Sequence, residues 1–317
     1  MTGSRWTLAA GAIAVTAACG RGEPAAGGAD TTAAPPAAAS LPTRVEGFQT
    51  PESAKYDAEL DVWYVTNING SPVDKDGNGY ISRLQGDGTM DSLKFIAGGV
   101  NGAVLNGPKG MALQGDTLWV ADIDAVRAFN RRTGAPVTSI ALHGAKFLND
   151  LAVGPDGLYI TDTGVEMGPS GLNHTGPDRI YRVGPDGRQS VALQGDSLGG
   201  PNGITWDAAR GRFIVVPFIG TVVRAWTPGS KVTLALGATK GQVDGVEVLD
   251  STRLLLTSWA DSSLDVLEHG TLTRLANDLP SPADIGVDTR RNRVAIPIFM
   301  ENRVEFRPLP AAGQAVP

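Results

Sequence analysis

Residues 201–206 read PNGITW, and four other stretches align with them: PKGMAL (108–113), LNDLAV (148–153), VDGVEV (243–248) and PADIGV (282–287). Each opens on a small or polar corner and runs into an apolar strand. A turn, a second apolar strand, another turn and a further strand follow. A sixth copy starts at Pro51-Glu52, ahead of DVWYVTN. The unit returns about every 40–55 residues, and three or four short strands at that period predict a β-propeller blade. Six copies predict an all-β protein: a six-bladed β-propeller with four-stranded antiparallel blades over residues 44–309. A β-sandwich needs no internal self-similarity, and a parallel β-helix repeats at shorter periods.

The other apolar runs agree. YISRLQ, DTLWVAD, VRAFN, GLYITD, RIYRV, RFIVVP, VVRAW, RLLLTS, LDVLE, RVAIP and RVEF are short, rich in β-branched and aromatic residues, and separated by Gly, Asp, Asn and Pro. DKDGNGYISRLQ (74–85) lies between two of these strands. It meets the calcium-loop pattern at Asp74, Asp76, Asn78 and Gly79 but ends in Gln85 where a bidentate Glu belongs. No helix is expected on either side, so the EF-hand reading fails. A hairpin turn or a helix-free calcium loop remains.

Before the repeats, one Arg and a short apolar run lead to Ala17-Ala18-Cys19, and Cys19 is the one cysteine of the chain. The layout is that of a secretory signal, too short to span a bilayer. Its cysteine at the cleavage point resembles a bacterial lipoprotein signal, with Thr16 where Leu is usual. An ordinary signal with an incidental Cys is the alternative. The expectation is a signal over 1–19, lipidation at Cys19, an Ala/Gly/Pro-rich tether over 20–43, a tail over 310–317, and an extracytoplasmic, membrane-anchored location in the periplasm or at the cell surface. With no second cysteine, no intramolecular disulfide is available. The net charge of −6 and the lack of a basic cluster disfavour nucleic acid as a partner.

In a propeller the equivalent corner residues point into the central channel at one height. Here they are Glu52, Lys109, Asn149, Asn202, Asp244 and Ala283. Two carboxylates and two amides are hard oxygen donors that suit Ca²⁺ better than Zn²⁺. Two facing carboxylates also repel unless a cation sits between them. The other reading is that Asn, Asp and Gly make turns, with Lys109 neutralising the acids or holding an anionic substrate group. Asn67, Asp122 and Asp162 end second strands and are candidates to line the same mouth. His174, in the long insertion 164–178, is a further substrate-contact candidate. His143 and His269 lack metal-ligand spacing, so zinc is not expected. No phosphate-binding Gly loop occurs.

PNGITWD, VDGVEV and the early PES are similar to the gluconolactonase family that includes senescence marker protein, over nearly the whole chain after the tether. The resemblance implies a six-bladed propeller with one catalytic divalent metal, often calcium, at the channel mouth. It implies Glu52, Asn202 and Asp244 as metal ligands, with Asn149 at the metal or the substrate. It implies Lys109 where relatives place a substrate-binding Arg. By their places at the mouth Asp122 and His174 are expected as further substrate contacts, and Asp244 is the candidate catalytic base that activates a water. The family's E-G-P-x-W signature reads E-S-A-K-Y here. The implied activity is metal-dependent hydrolysis of a lactone or related ester. A lipid-anchored, non-catalytic binding or scaffold module and a propeller enzyme of other chemistry, such as phosphotriester hydrolysis, are the alternatives.

Overall fold

The computed structural model describes residues 41–169 and 171–310. The signal, Cys19, nearly all of the tether and the C-terminal tail beyond Pro310 lie outside them. β1 (Arg44–Glu46) comes first. The first blade is β2 (Pro51–Asp57), β3 (Val62–Asn67), β4 (Tyr80–Gln85) and β5 (Met90–Ala97). The second is β6 (Pro108–Gln114), β7 (Thr117–Asp122), β8 (Ala125–Asn130) and β9 (Pro136–Ala141). β10 (Leu148–Gly154) and β11 (Gly157–Asp162) begin the third. A separate hairpin, β12 (Val165–Gly168) and β13 (Gly171–His174), interrupts it before β14 (Arg179–Val183) and β15 (Gln189–Gln194) complete it. The fourth is β16 (Pro201–Asp207), β17 (Arg212–Pro217), β18 (Val222–Trp226) and β19 (Leu234–Ala238). The fifth is β20 (Val243–Val248), β21 (Arg253–Ser258), β22 (Ser263–Glu268) and β23 (Thr271–Ala276). The sixth takes β24 (Gly286–Asp288), β25 (Arg293–Ile298) and β26 (Arg303–Pro308), and its outermost strand is β1.

β1 therefore closes the ring. Val45 pairs with Val304 in antiparallel register, and Phe306 N donates to Thr43 O at 2.8 Å. Joining the first strand to the last blade removes an open end from the sheet array.

Burial explains the run pattern. β3, β21 and β25 are buried along their whole length, because each second strand is covered on both faces by neighbouring blades. β9 and β19 lie outermost and are mostly exposed. The apolar core is accordingly divided into wedges between adjacent blades. Tyr64, Ile81, Met111 and Val120 fill the wedge between the first and second, and Tyr159, Ile204, Phe213 and Trp226 the one between the third and fourth. Among the described residues the only helical elements are two short 3₁₀ turns, Asp196–Leu198 and Phe299–Glu301, and no helix is long and apolar enough to cross a membrane.

The loop at 74–79 has no flanking helix. Asp76 Oδ2 accepts from Asn78 Nδ2 at 2.6 Å within the loop, while Asn69 Nδ2 donates to Asn78 O at 2.9 Å and Gly77 N donates to Asn106 Oδ1 at 3.1 Å to tie it to its neighbours.

Candidate active site

The inner strands carry a recurring irregularity. In β2 the register passes from Pro51↔Asn67 to Ala54↔Val65, so two residues oppose one. The same slip occurs after Pro108, Leu148, Pro201 and Val243. In the sixth blade it falls between Pro282↔Ile298 and Gly286↔Ala295. A β-bulge re-aims the side chains it carries, and the bulged residues are Glu52, Lys109, Asn149, Asn202, Asp244 and Ala283 with their successors. All six corner residues are buried. Threonines opposite three bulges satisfy the freed N–H groups. Thr66, Thr161 and Thr257 Oγ1 accept from Ser53, Asp150 and Gly245 N at 2.8–2.9 Å. Thr161 and Thr257 donate onward to Asn202 O (2.6 Å) and Ala283 O (2.9 Å) of the next blade.

The successor column is Ser53, Gly110, Asp150, Gly203, Gly245 and Asp284. The inner strands approach so closely that a Cβ on Gly203 would lie 2.3 Å from Asp244 O, and one on Gly110 would lie 2.6 Å from Asp150 Cα. Glycine is required where a neighbour's backbone fills the space. Asp150 and Asp284 form a second acidic layer, with Lys55 of β2 and Glu247 of β20 paired at 3.0 Å further along the inner strands. Sequence reasoning missed these four, although their signal lay one and three columns beyond the corner in the aligned repeats.

Acidic residues at the two ends of the channel differ in kind. At the far end β2, β16 and β24 finish in Asp57, Asp207 and Asp288. Each is buried and paired with an arginine: Arg131 at 2.7 Å, Arg212 at 3.1 Å and Arg291 at 3.0 Å. At the mouth, Glu52 Oε2 and Asp244 Oδ1 are buried and have no hydrogen-bond partner. Burial pushes the Glu52 carboxyl well above its usual range, and Asp244 and Asp284 push it further, against Lys109. Burial and Asp284 likewise raise Asp244, while the N–H groups of Trp259 and Asn202 approach and partly offset them. Asn149 Nδ2 donates to Thr163 Oγ1 at 3.1 Å.

Lys109 does not neutralise this pair by contact. Its Nζ donates to Pro72 O (3.2 Å) and Gly107 O (3.1 Å) and lies 4.2 Å from the centroid of the Phe147 ring. None of the ion pairs among the described residues includes it. Burial pulls its pKa down to about 8, against the pull of Glu52 and Asp122. Orphaned oxygens on two buried carboxylates are an uncompensated cost that a cation would remove. With the amides of Asn149 and Asn202, the donor chemistry suits a hard divalent ion. Among the described residues no three His, Cys, Asp or Glu side chains cluster as a metal site, so any ion here depends on the amides.

Asp122, expected to meet substrate, is fully buried and engaged within the protein. Its carboxylate accepts from Asn106 N (3.0 Å), Gly107 N (2.8 Å) and Arg127 Nε (2.9 Å). Asp162 does the same for Phe147 N at 2.9 Å, and Asn67 Oδ1 for Gln49 N at 3.0 Å. These strand-end groups buttress the segments leading into the corners. His174 belongs to this set indirectly: it is hydrogen-bonded at 2.6 Å to Asp178, which accepts from Gly200 N at 2.7 Å, just before the fourth corner. The hairpin β12–β13 leaves from the corner end of β11, so it stands at the mouth. Two clefts of about 330 and 520 Å³ open between blades at the opposite end, lined in part by Asp207 and His269 and by Gln114 and Asp186.

A six-bladed propeller with a buried carboxylate–amide ring at one mouth defines the class of protein. The family model of the SMP-30/gluconolactonase/LRE-like region matches residues 50–227. The chain belongs to that family. Among solved structures it is similar to a gluconolactonase from Xanthomonas campestris, described as important in glucose secondary metabolic pathways, with TM-score 0.60 and 18% identity over 84% of this chain and 88% of that one. It is similar also to a chain of the nidogen/laminin complex, with TM-score 0.55 and 19% identity over 69% of this chain and 76% of that one. Both likenesses concern the fold. No sequence relative was found among curated proteins.

Proposed function

We propose that this protein hydrolyses a lactone or related ester at the corner ring, with a divalent cation, Ca²⁺ by donor chemistry, held by Glu52, Asn149, Asn202 and Asp244. The observation that carries the reading is the pair of buried, unpartnered carboxylate oxygens on Glu52 and Asp244, where the acids at the other end of the channel are each matched by arginine. The ion, when bound, supplies positive charge to polarise the substrate carbonyl and stabilise its developing oxyanion. Asp244 is the candidate base. One carboxylate oxygen of Asp244 would help hold the ion, and the other would take the proton of the attacking water. The new C–O bond to water forms, the ring or ester C–O bond breaks, and the proton passes to the leaving alkoxide. Lys109, with its pKa drawn to about 8, places a cation beside the ring for a carboxylate or hydroxyl of the substrate.

A lactone panel followed by acid release, with Ca²⁺ or with EDTA, tests the reading. Turnover that needs the ion supports it. A chain indifferent to both Ca²⁺ and EDTA in activity and in unfolding midpoint sinks it, because a bound ion stabilises the fold by mass action. The proposal extends to location: lipidation at Cys19 would hold the propeller outside the cytoplasm on its Ala/Gly/Pro-rich tether. Cys19→Ser is expected to move the protein from the membrane fraction to the soluble one, and an unchanged distribution would refute the anchor.

A further inference from the structure

The position that directly follows the second strand of each blade reads Ile68, Ile123, Thr163, Phe218, Trp259 and Phe299 around the ring. Its place beside the corners is set by the backbone. Ile68, Thr163, Phe218, Trp259 and Phe299 N donate to the carbonyls of Thr50, Phe147, Gly200, Gln242 and Ser281 at 2.8–3.1 Å, each two residues before a corner. The column therefore lines the mouth at one height. In the first three blades it is aliphatic or hydroxylic and buried. In the last three it is aromatic and only partly buried.

These three rings form a continuous wall. Phe218 and Trp259 meet edge to face with centroids 5.7 Å apart, and Trp259 and Phe299 lie 5.2 Å apart. The next residues extend the wall outward as Ile219 and Met300, 50% and 68% exposed. On the opposite side the same position holds Asn69 and Asp124, the latter paired with Lys75 at 2.5 Å. Beside the corners the column is thus aromatic over the last three blades alone. The wall also reaches the reacting centre: Trp259 Nε1 is buried, has no hydrogen-bond partner, and approaches the Asp244 carboxyl.

We infer that the substrate carries an apolar alkyl or aryl group beside its lactone or ester carbonyl, and that the Phe218–Trp259–Phe299 wall selects it over polyhydroxylated sugar lactones. This rests on the hydrolase reading and narrows it. A sugar lactone would bury hydroxyls against rings that offer a single N–H, and unpaired polar groups are rejected strongly. An alkyl chain would cover apolar surface that otherwise faces water.

The test is the specificity ratio of the full chain: kcat/KM on δ-decanolactone divided by that on δ-valerolactone, with glucono-δ-lactone as the polar comparison. At about fourfold for each methylene that reaches the wall, the ratio is expected to exceed tenfold, and glucono-δ-lactone is expected to trail both. Phe299→Ala and Phe218→Ala are each expected to lower the ratio at least threefold. A ratio does not depend on how much of a variant is folded. An alkylated δ-lactam, which is not hydrolysed, is expected to raise the unfolding midpoint more than the unsubstituted lactam does, and to lose that advantage in Phe299→Ala. Glucono-δ-lactone turned over faster than δ-decanolactone would overturn this inference and leave the hydrolase standing. So would a ratio that neither substitution changes, even if the variants bind vesicles less well, since the wall would then be a lipid contact. Failure of every lactone, with no lactam effect, would remove both readings.

Discussion

Asp244→Asn is expected to lower lactone turnover at least a hundredfold and to abolish stabilisation by Ca²⁺, while the metal-free protein becomes no less stable at pH 8. The two halves come from one cause. Glu52 and Asp244 are buried, each has an oxygen without a partner, and Asp244 raises the Glu52 pKa. Without a cation their charges are a burden on the folded state, and Asn removes one of them at nearly constant volume. With Ca²⁺ at a hundred times its dissociation constant, the wild type should gain about 2.7 kcal/mol, or about 5 °C in unfolding midpoint for a chain of this size. The variant should gain nothing. The sign with pH follows from the same groups. Glu52, Asp150, Asp244 and Asp284 have folded pKa values above their ordinary ones, Asp284 at about 6. Their contribution to stability is present in full only below about pH 4 and is lost as pH rises through about 6 and beyond. Metal-free wild type should therefore unfold at a higher temperature at pH 5 than at pH 8, and saturating Ca²⁺ should flatten that slope. Calorimetry in EDTA and in Ca²⁺ at both pH values decides it. A metal-free protein most stable at pH 8, or an Asp244→Asn variant that still responds to Ca²⁺, would show that the orphaned oxygens do not form a cation site.

The blades and the corner ring were legible because the sequence repeats. Aligning PNGITW with its five counterparts brings Glu52, Asn202 and Asp244 into one column, and a propeller turns a column into a ring. Other features carry no such signal. β1 is the tripeptide RVE, without alternation worth reading, and its partner β26 lies at the far end of the chain. Asp122 sat in the right place for a mouth residue. Its occupation was invisible, because its partners are the backbone N–H groups of Asn106 and Gly107, in a loop without a pattern. Asp150 and Asp284 were in plain view, but their column alternates with glycine and reads as turn chemistry. Only the bulge shows that the glycines are there because the neighbouring strand occupies the space their side chains would need. The aromatic column was hidden differently: it stands one residue past the strand end, where a periodic reading stops.

Asp150→Ala is expected to lower stability by about 3 kcal/mol and to weaken Ca²⁺ binding, though Asp150 lies in the second acidic layer and not in the corner ring. Its Oδ1 accepts from Leu151 N at 2.7 Å, and its Oδ2 reaches across the blade interface to Ile204 N at 2.8 Å. Ile204 stands two residues after Asn202, and Thr161 ties the Asn202 carbonyl from the same side. The carboxylate thus clips the third blade to the fourth directly under two of the four candidate ligands. Alanine would leave two buried N–H groups without acceptors, at about 1–3 kcal/mol each. Relief works in the other direction, since burial and Asp284 raise the Asp150 pKa against the pull of Lys55. The N–H loss should win, because two buried donors lose their acceptor at once, while Lys55 and those donors offset part of the charge. Asp150→Asn separates the terms: it keeps an acceptor for Ile204 N, removes the charge, and should cost less than half as much. If Asp150→Ala unfolds at the wild-type temperature, or if Asp150→Asn is the worse of the two, charge and not the clip governs this layer. If stability falls as expected while Ca²⁺ affinity stays unchanged, Asn149 and Asn202 keep their positions without the clip, and the blade interface beneath them does not govern the ring's geometry.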